Sequence, residues 1–315
     1  MTNPHLGIVF PGQGSQSVGM LADIAREFPS VEKTFLDASA ILGYDLWELV
    51  QHGPAEELDK TVHTQPALLA ASYAIWQILK TKKELKPTIL AGHSLGEYSA
   101  LVCADAFSFQ DGIKLVAARG QYMQEAVPVG VSALGAIVGL DDNEIVSLCE
   151  KSKTSDEVLS PANYNCPGQV VIAGHKQAVE RALVLAKESG AKLTKLLPVS
   201  VSSHCILMKP AAEKLALLLA SISIFKPSIP VVSNVDVKIY ENADRIRDGL
   251  VRQLYLPVRW TETIKQFVDH GVTQIIECGP GKVLNGLNRR IVSDLQLTSA
   301  ADAANLRSIL ETSVD

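Results

Sequence analysis

Apolar positions along the chain alternate between short continuous runs and stretches of helical periodicity. The first run, 6–10, has the length of a strand and ends at Pro11-Gly12-Gln13-Gly14-Ser15-Gln16, after which helical spacing resumes near Met20. Thr64 is set to cap a helix running to Leu79, with Pro66 in its first turn, where a missing N–H costs little. A second strand-like run, 88–92, leads through His93-Ser94-Leu95-Gly96 into a helix reaching about Ala104. Ser108 caps the next helix, on which Ile113, Val116, Gly120 and Met123 share one side. Strand, loop and helix recurring in this order predict a parallel sheet covered by helices.

Between about 128 and 198 the rhythm changes. Strands at 132–138, 158–164, 169–173 and 192–197 flank helices at 141–153 and 177–188, the β-α-β-β-α-β order of a ferredoxin-like unit. Helices at 206–221, 244–254 and 261–270 and strands at 231–233 and 274–278 then restore the first pattern, and Gly279-Pro280-Gly281 reads as a turn entering a helix. The expected fold class is α/β: a parallel-sheet, α/β-hydrolase-like large domain formed by 1–127 and 199–315, interrupted by a ferredoxin-like α+β subdomain, 128–198.

Composition narrows the function classes. With 315 residues, 47% apolar and 20% charged, the chain can build a core without a disulfide or metal staple. Its 29 basic and 34 acidic side chains sum to −5, which argues against a surface devoted to nucleic acid or anionic lipid. Cys103, Cys149, Cys166, Cys205 and Cys278 stand far apart with no C-x-x-C pair, as free thiols in a reducing compartment do. Residues 1–5 lack the basic n-region of a secretory leader, and the apolar stretches 67–79 and 215–225 fall short of the roughly 20 residues that cross a bilayer. The expectation is a cytoplasmic protein with no membrane segment, metal or bound cofactor.

Gly92-His93-Ser94-Leu95-Gly96 is a G-x-S-x-G sequence between a predicted strand and a predicted helix, the setting in which it forms a nucleophile elbow. Ser94 would stand out on a tight turn, with the N–H groups of the following helix facing a developing oxyanion. Serine needs a base to take its proton. Of seven histidines, His5, His52, His63, His175 and His270 lie in polar, terminal or surface-like contexts, and His93 is constrained by adjacency; His204 lies at a loop-to-helix junction where the chain re-enters the large domain. The loop Gly12-Gln13-Gly14-Ser15-Gln16 lacks the third glycine of a dinucleotide fingerprint, and Gln13 at a strand end can instead offer its backbone N–H as an oxyanion donor beside Leu95. Gly279-Pro280-Gly281-Lys282 likewise fails as a phosphate loop.

Taken in order, Pro11-Gly12-Gln13-Gly14-Ser15-Gln16, Thr64-Gln65-Pro66-Ala67, Gly92-His93-Ser94-Leu95-Gly96-Glu97-Tyr98, Arg119-Gly120 with Met123, the segment 163–169, Ser203-His204 and Gln253 resemble the malonyl-CoA:acyl-carrier-protein transacylase family over essentially the whole chain. The resemblance implies a Ser–His acyltransferase of bacterial fatty-acid synthesis acting on malonyl-CoA and acyl carrier protein, with Ser94 the nucleophile, His204 the base and Gln13 and Leu95 the oxyanion donors. It implies that Arg119 grips the free malonyl carboxylate, which an acetyl group lacks. By the same likeness Gln253 orients His204 through its backbone carbonyl, and Met123, Gln65 and Asn165 line the pocket. Composition alone would instead make Arg119 a surface residue. Val201-Ser202-Ser203 departs from the proline common ahead of this histidine in relatives, leaving room for some methylmalonyl transfer.

Two rival readings remain at this stage. A serine esterase or thioesterase orders its triad Ser, acid, His, and Asp141, Asp142 and Asp156 do fall between Ser94 and His204, though all within the predicted insert. A non-catalytic carrier-docking subunit would not need Ser94, His204 and Arg119 together. Acyl carrier proteins are generally acidic, so docking needs local positive charge, for which Lys192, Lys195, Arg289 and Arg290 are candidates. A monomer is expected.

Overall fold

The computed structural model of the chain describes residues 5–198 and 201–311. The expectation about the chain start rests on Met1–Pro4, and these, the side chain of His5 and part of the anticipated 198/199 boundary lie outside the described residues.

The elements follow in the order β1 (His5–Phe10), α1 (Ala22–Glu27), α2 (Ser30–Leu42), α3 (Leu46–His52), α4 (Ala55–Leu58), α5 (Thr61–Leu79), β2 (Ile89–Gly92), α6 (Leu95–Cys103) and α7 (Phe109–Glu125). Next come β3 (Ser132–Val138), α8 (Asp142–Ser152), β4 (Leu159–Cys166), β5 (Gln169–His175), α9 (Lys176–Glu188) and β6 (Leu193–Leu196). A 3₁₀ turn (Ile206–Met208) precedes α10 (Lys209–Ala220), α11 (Ala243–Gln253), α12 (Trp260–Asp269), β7 (Val272–Glu277), α13 (Val283–Ile291), β8 (Gln296–Ser299) and α14 (Ala303–Glu311).

Among the described residues these strands form two sheets. The first is parallel, in the order β2-β1-β7-β8, with a bridge from Leu90 to Val231 extending its edge. Successive side chains of a strand point to opposite faces, and here both faces are covered. Ile8, Phe10, Leu90 and Ile276 join the larger apolar cluster, which includes α5, α6 and α7; Val9, Ile89, Ala91 and Ile275 join the other, with Trp260 and Phe267 of α12 and Leu284 of α13. The second sheet is antiparallel, in the order β4-β5-β3-β6, the arrangement anticipated for the 128–198 segment. One of its faces packs on α8 and α9. From the other, Leu134, Val171 and Ala173 pack against Cys205, next to His204.

Several expectations need correction. Helix α5 begins at Thr61 with Lys60 as its N-cap, so Pro66 lies inside it and not in its first turn. Thr64 does not cap it: its hydroxyl donates to the Leu58 carbonyl at 2.5 Å, tying α5 to α4, and His63, expected ahead of the helix, lies within it. The helix anticipated over 206–221 is split between the 3₁₀ turn and α10, and the strand at 231–233 amounts to isolated bridges from Val231 and Val232. Helices α2, α3 and α4 had no counterpart in the sequence reading. Ser108, by contrast, caps α7 as expected, accepting the Asp111 N–H at 3.0 Å.

The two motif glycines set how closely β2 and α6 approach. A Cβ on Gly92 would lie 1.8 Å from the Gly96 carbonyl carbon, and one on Gly96 would lie 2.0 Å from the Phe10 carbonyl oxygen. Both obstructions are backbone and cannot swing away. Gly96→Ala is therefore expected to cost about 3 kcal/mol or more by forcing β1 and α6 apart; a thermal unfolding midpoint equal to that of the unsubstituted protein would contradict it.

Candidate active site

Ser94 connects β2 to α6 with φ 52° and ψ −105°, a strained conformation for a residue bearing a side chain. Asn234 holds it there. Its Oδ1 accepts the Ser94 N–H at 2.8 Å, and its Nδ2 donates to the Gly92 carbonyl at 2.7 Å. The Gln13 loop follows the neighbouring strand, β1, and comes equally close: a Cβ on Gly12 would lie 2.5 Å from the His93 carbonyl oxygen. Gln13 itself is exposed, its Nε2 donating to Thr61 Oγ1 at 3.4 Å, and Leu95 opens α6, where helical N–H groups lack intrahelical acceptors.

His204 arrives from the far side of the chain. Its N–H donates to the Leu254 carbonyl at 2.8 Å, just past the end of α11, and its own φ is 64°. The ring lies between two oxygens: Nδ1 is 2.7 Å from the Gln253 carbonyl and Nε2 is 2.8 Å from Ser94 Oγ. A carbonyl can only accept, so Nδ1 carries the hydrogen and Nε2 presents its lone pair to the serine hydroxyl. Burial, reinforced by the Arg119 charge, pushes the imidazole down to about 3, so it stays neutral near pH 7.

Arg119 lies on α7, whose close approach to α5 is permitted at Gly120, where a Cβ would lie 2.8 Å from the Thr61 carbonyl oxygen. The surface reading of Arg119 fails, since only 1% of the residue is exposed. Nη2 donates to Ser94 Oγ at 3.2 Å and to Gln253 Oε1 at 3.0 Å, and the guanidinium carbon stands 5.3 Å from the centroid of the Tyr98 ring. Its Nε is buried without a partner. Burial holds its pKa below the ordinary arginine value, against the opposing influence of Tyr98 and Glu97.

Ser94, His204, Arg119 and Gln253 are thus brought together. Gln65 and Met123 meet each other, Nε2 to Sδ at 3.6 Å, with Gln65 Oε1 buried and unpartnered. Asn165 pairs with His93, Oδ1 to Nε2 at 2.8 Å, and so links β4 to the elbow. His93 is half-buried, and its partial removal from water lowers its pKa. The insert carboxylates serve elsewhere: Asp141 caps α8 in a reciprocal box with Glu144, Asp142 is exposed, and Asp156 accepts from Ser155. His204 Nδ1 is already taken by a carbonyl. Lys192, Lys195 and Arg289 are exposed, while Arg290 donates to Gln169 Oε1 at 2.5 Å.

Asn234 and Glu97 were missed as site residues. Nothing in the local sequence marks Asn234, because its bonds reach back 140 and 142 positions. Glu97 did carry a signal, as the one charged residue in the otherwise uncharged run of α6. It is fully buried, and burial pushes its carboxyl up to about 7 against donors from Tyr240, Gln253 and Asn234 that pull it down. Among the described residues no group of histidine, cysteine, aspartate and glutamate could hold a metal, and no helix is long and apolar enough to cross a membrane.

Comparison with known proteins gives the family. The acyl transferase domain family matches residues 8–306. The malonyl CoA-acyl carrier protein transacylase of Haemophilus influenzae is 59% identical over 305 residues, 96% of this chain and 97% of that protein. Its namesake from Escherichia coli K12 is 56% identical over 98% of this chain and 99% of its own length. Among solved structures, a malonyl-transacylase in complex with a type II PKS acyl-carrier protein superposes with a TM-score of 0.96 at 56% identity, covering 98% of this chain and 99% of that one. An acyl carrier protein S-malonyltransferase from Vibrio cholerae gives 0.94 at 56% identity over 96% and 99%. The match along nearly the full length establishes that the chain belongs to the malonyl CoA-acyl carrier protein transacylase family.

Proposed function

We propose that the protein transfers a malonyl group from malonyl-CoA to the phosphopantetheine thiol of acyl carrier protein through a malonyl ester of Ser94, as a cytoplasmic monomer supplying fatty-acid biosynthesis. The observation that carries this reading is a buried guanidinium, Arg119, 3.2 Å from the same serine oxygen that lies 2.8 Å from His204 Nε2. A fixed cation beside a nucleophile selects acyl groups ending in a carboxylate, and the unpartnered Nε is available to such a group.

In the first half-reaction Ser94 Oγ attacks the thioester carbonyl carbon as its proton passes to His204 Nε2. The oxyanion is held by the N–H groups of Gln13 and Leu95. The C–S bond breaks, and the departing sulfur takes the proton from His204. In the second half-reaction the carrier thiol gives its proton to His204 and attacks the ester carbonyl, and Ser94 Oγ leaves with that proton. Gln65 and Met123 would line the acyl pocket, with Asn165 supporting it through His93. We also propose that 1–127 with 199–315 form a discontinuous large domain and 128–198 a ferredoxin-like small subdomain, supported by the two sheets sharing no strand.

Mixing the protein with malonyl-CoA is expected to yield a covalent adduct on Ser94 by mass spectrometry, with methylmalonyl-CoA reacting slowly, acetyl-CoA hardly at all, and no adduct on Ser94→Ala. An equal yield from acetyl-CoA would remove Arg119 from its selecting role. Charge reversal at Lys192, Lys195 and Arg289 should raise KM for the carrier and leave hydrolysis of small esters unchanged; an unaltered KM would move docking elsewhere.

The depressed His204 pKa also has a stability consequence. Below about pH 6.5 the unfolded chain binds a proton that native His204 refuses until about pH 3, so this residue makes stability fall as pH drops through that window. His204→Gln should flatten the acid limb of a plot of unfolding free energy against pH, and superimposable limbs would contradict the burial argument.

A further inference from the structure

Glu97 enters none of the steps above, yet its hydrogen bonds lead directly to the selecting cation. Oε1 accepts from the Tyr240 hydroxyl at 2.6 Å and from the Asn234 N–H at 3.3 Å, while Oε2 accepts from Gln253 Nε2 at 2.5 Å. Gln253 Nε2 also donates to the Ser94 carbonyl at 2.9 Å, which leaves Oε1 of the same amide facing Arg119 Nη2 at 3.0 Å. A carboxamide has donors at one end and an acceptor at the other. Flipped, it would set its NH₂ against the guanidinium, donor against donor.

Two acceptors oppose that flip, the Ser94 carbonyl and Glu97 Oε2. Among the described residues no hydrogen bond joins Arg119 to a carboxylate, and Glu97, one amide away, is the carboxyl group linked to it through this network. Resting on the acyl-transfer reading, we propose that Glu97 is a positioning residue for acyl selection: through the side-chain amide of Gln253 it holds the Arg119 guanidinium toward Ser94 and so sets the preference for an acyl group with a free carboxylate.

Glu97→Gln keeps the volume and changes the donor pattern. The Tyr240 hydroxyl and the Asn234 N–H retain the new carbonyl oxygen, which turns the new NH₂ toward the Gln253 donors. That amide must then rotate, and Arg119 loses an acceptor. The backbone carbonyl of Gln253 and the Ser94–His204 pair stay in place. Two reactions separate these effects: malonylation of Ser94 from malonyl-CoA, which uses Arg119, and hydrolysis of p-nitrophenyl acetate, a neutral ester, which does not.

Glu97→Gln is expected to slow malonylation about 10-fold or more while ester hydrolysis stays within about threefold. Equal losses in both reactions would mean that Glu97 only supports the core, and malonylation at the unsubstituted rate would mean it supports nothing at the site; either overturns the proposal. Should the variant fail to fold, the same split is read on Glu97→Asp, which keeps the carboxyl group and withdraws its oxygens by one methylene. Arg119→Ala runs alongside. If it retains the preference for malonyl-CoA over acetyl-CoA, the selection reading itself falls and the proposal with it. If it loses that preference while Glu97→Gln keeps it, only the positioning role falls.

Discussion

A guanidinium with 1% exposure and, among the described residues, no hydrogen bond to a carboxylate is the constraint around which this site is arranged. Removing such a cation from water costs several kcal/mol, and what offsets the cost is incomplete: a glutamine oxygen, a serine oxygen, the face of Tyr98, and nothing on Nε. The same charge helps to depress His204, because a proton on the imidazole would place a second cation beside the first. In the proposed reaction, a malonyl carboxylate arriving at Arg119 neutralises that charge and eases protonation of His204 as Ser94 attacks. Acyl selection and base strength are then coupled: an acyl group without the carboxylate leaves the base as poor as before.

The parts of this arrangement come from distant segments, so their registry depends on contacts between loops. Asn234 fixes the elbow, and two residues later Asp236 accepts a two-pronged bond from Arg252, with Nη1 to Oδ1 at 2.9 Å and Nη2 to Oδ2 at 2.5 Å. Arg252 immediately precedes Gln253, whose carbonyl orients His204. The fork therefore ties the loop that holds the Ser94 backbone to the helix end that holds His204. It is partly exposed and would count for little as an isolated surface pair. Its contribution here is geometric, since a bidentate pair restricts both distance and angle.

How far the sequence could be read follows from the range of the interactions involved. The strand-elbow-helix unit around Ser94, the Ser108 cap and the β-α-β-β-α-β order each depend on residues close together in the chain, and each was legible. Helices α3 and α4 were not, because at 7 and 4 residues they offer too few turns for periodicity to register; α2, at 13 residues, was passed over although Val31, Phe35 and Ala38 fall at helical spacing. The start of α5 was misjudged because Thr64 and Pro66 resemble a helix opening when seen without α4; the Leu58 carbonyl takes the hydroxyl that would otherwise cap. At the site, Ser94, His204 and Arg119 carry family motifs, whereas Glu97 and Asn234 owe their importance to partners more than 130 positions away.

The group behind His204 is a carbonyl, and the proposed chemistry accounts for why that is sufficient. An aspartate behind an imidazole fixes its tautomer and stabilises the imidazolium, which matters when the leaving group is an amine that must be protonated. The Gln253 carbonyl fixes the tautomer equally well at 2.7 Å but adds no negative charge. In the first half-reaction of the proposed reaction the leaving group is a thiolate, whose conjugate acid has a pKa near 8.5, so it departs with little help from a proton; in the second the Ser94 oxygen leaves and takes the proton that His204 has just received from the carrier thiol. A base that holds its proton weakly returns it quickly, which suits an enzyme whose two half-reactions pass that proton through one nitrogen in both directions.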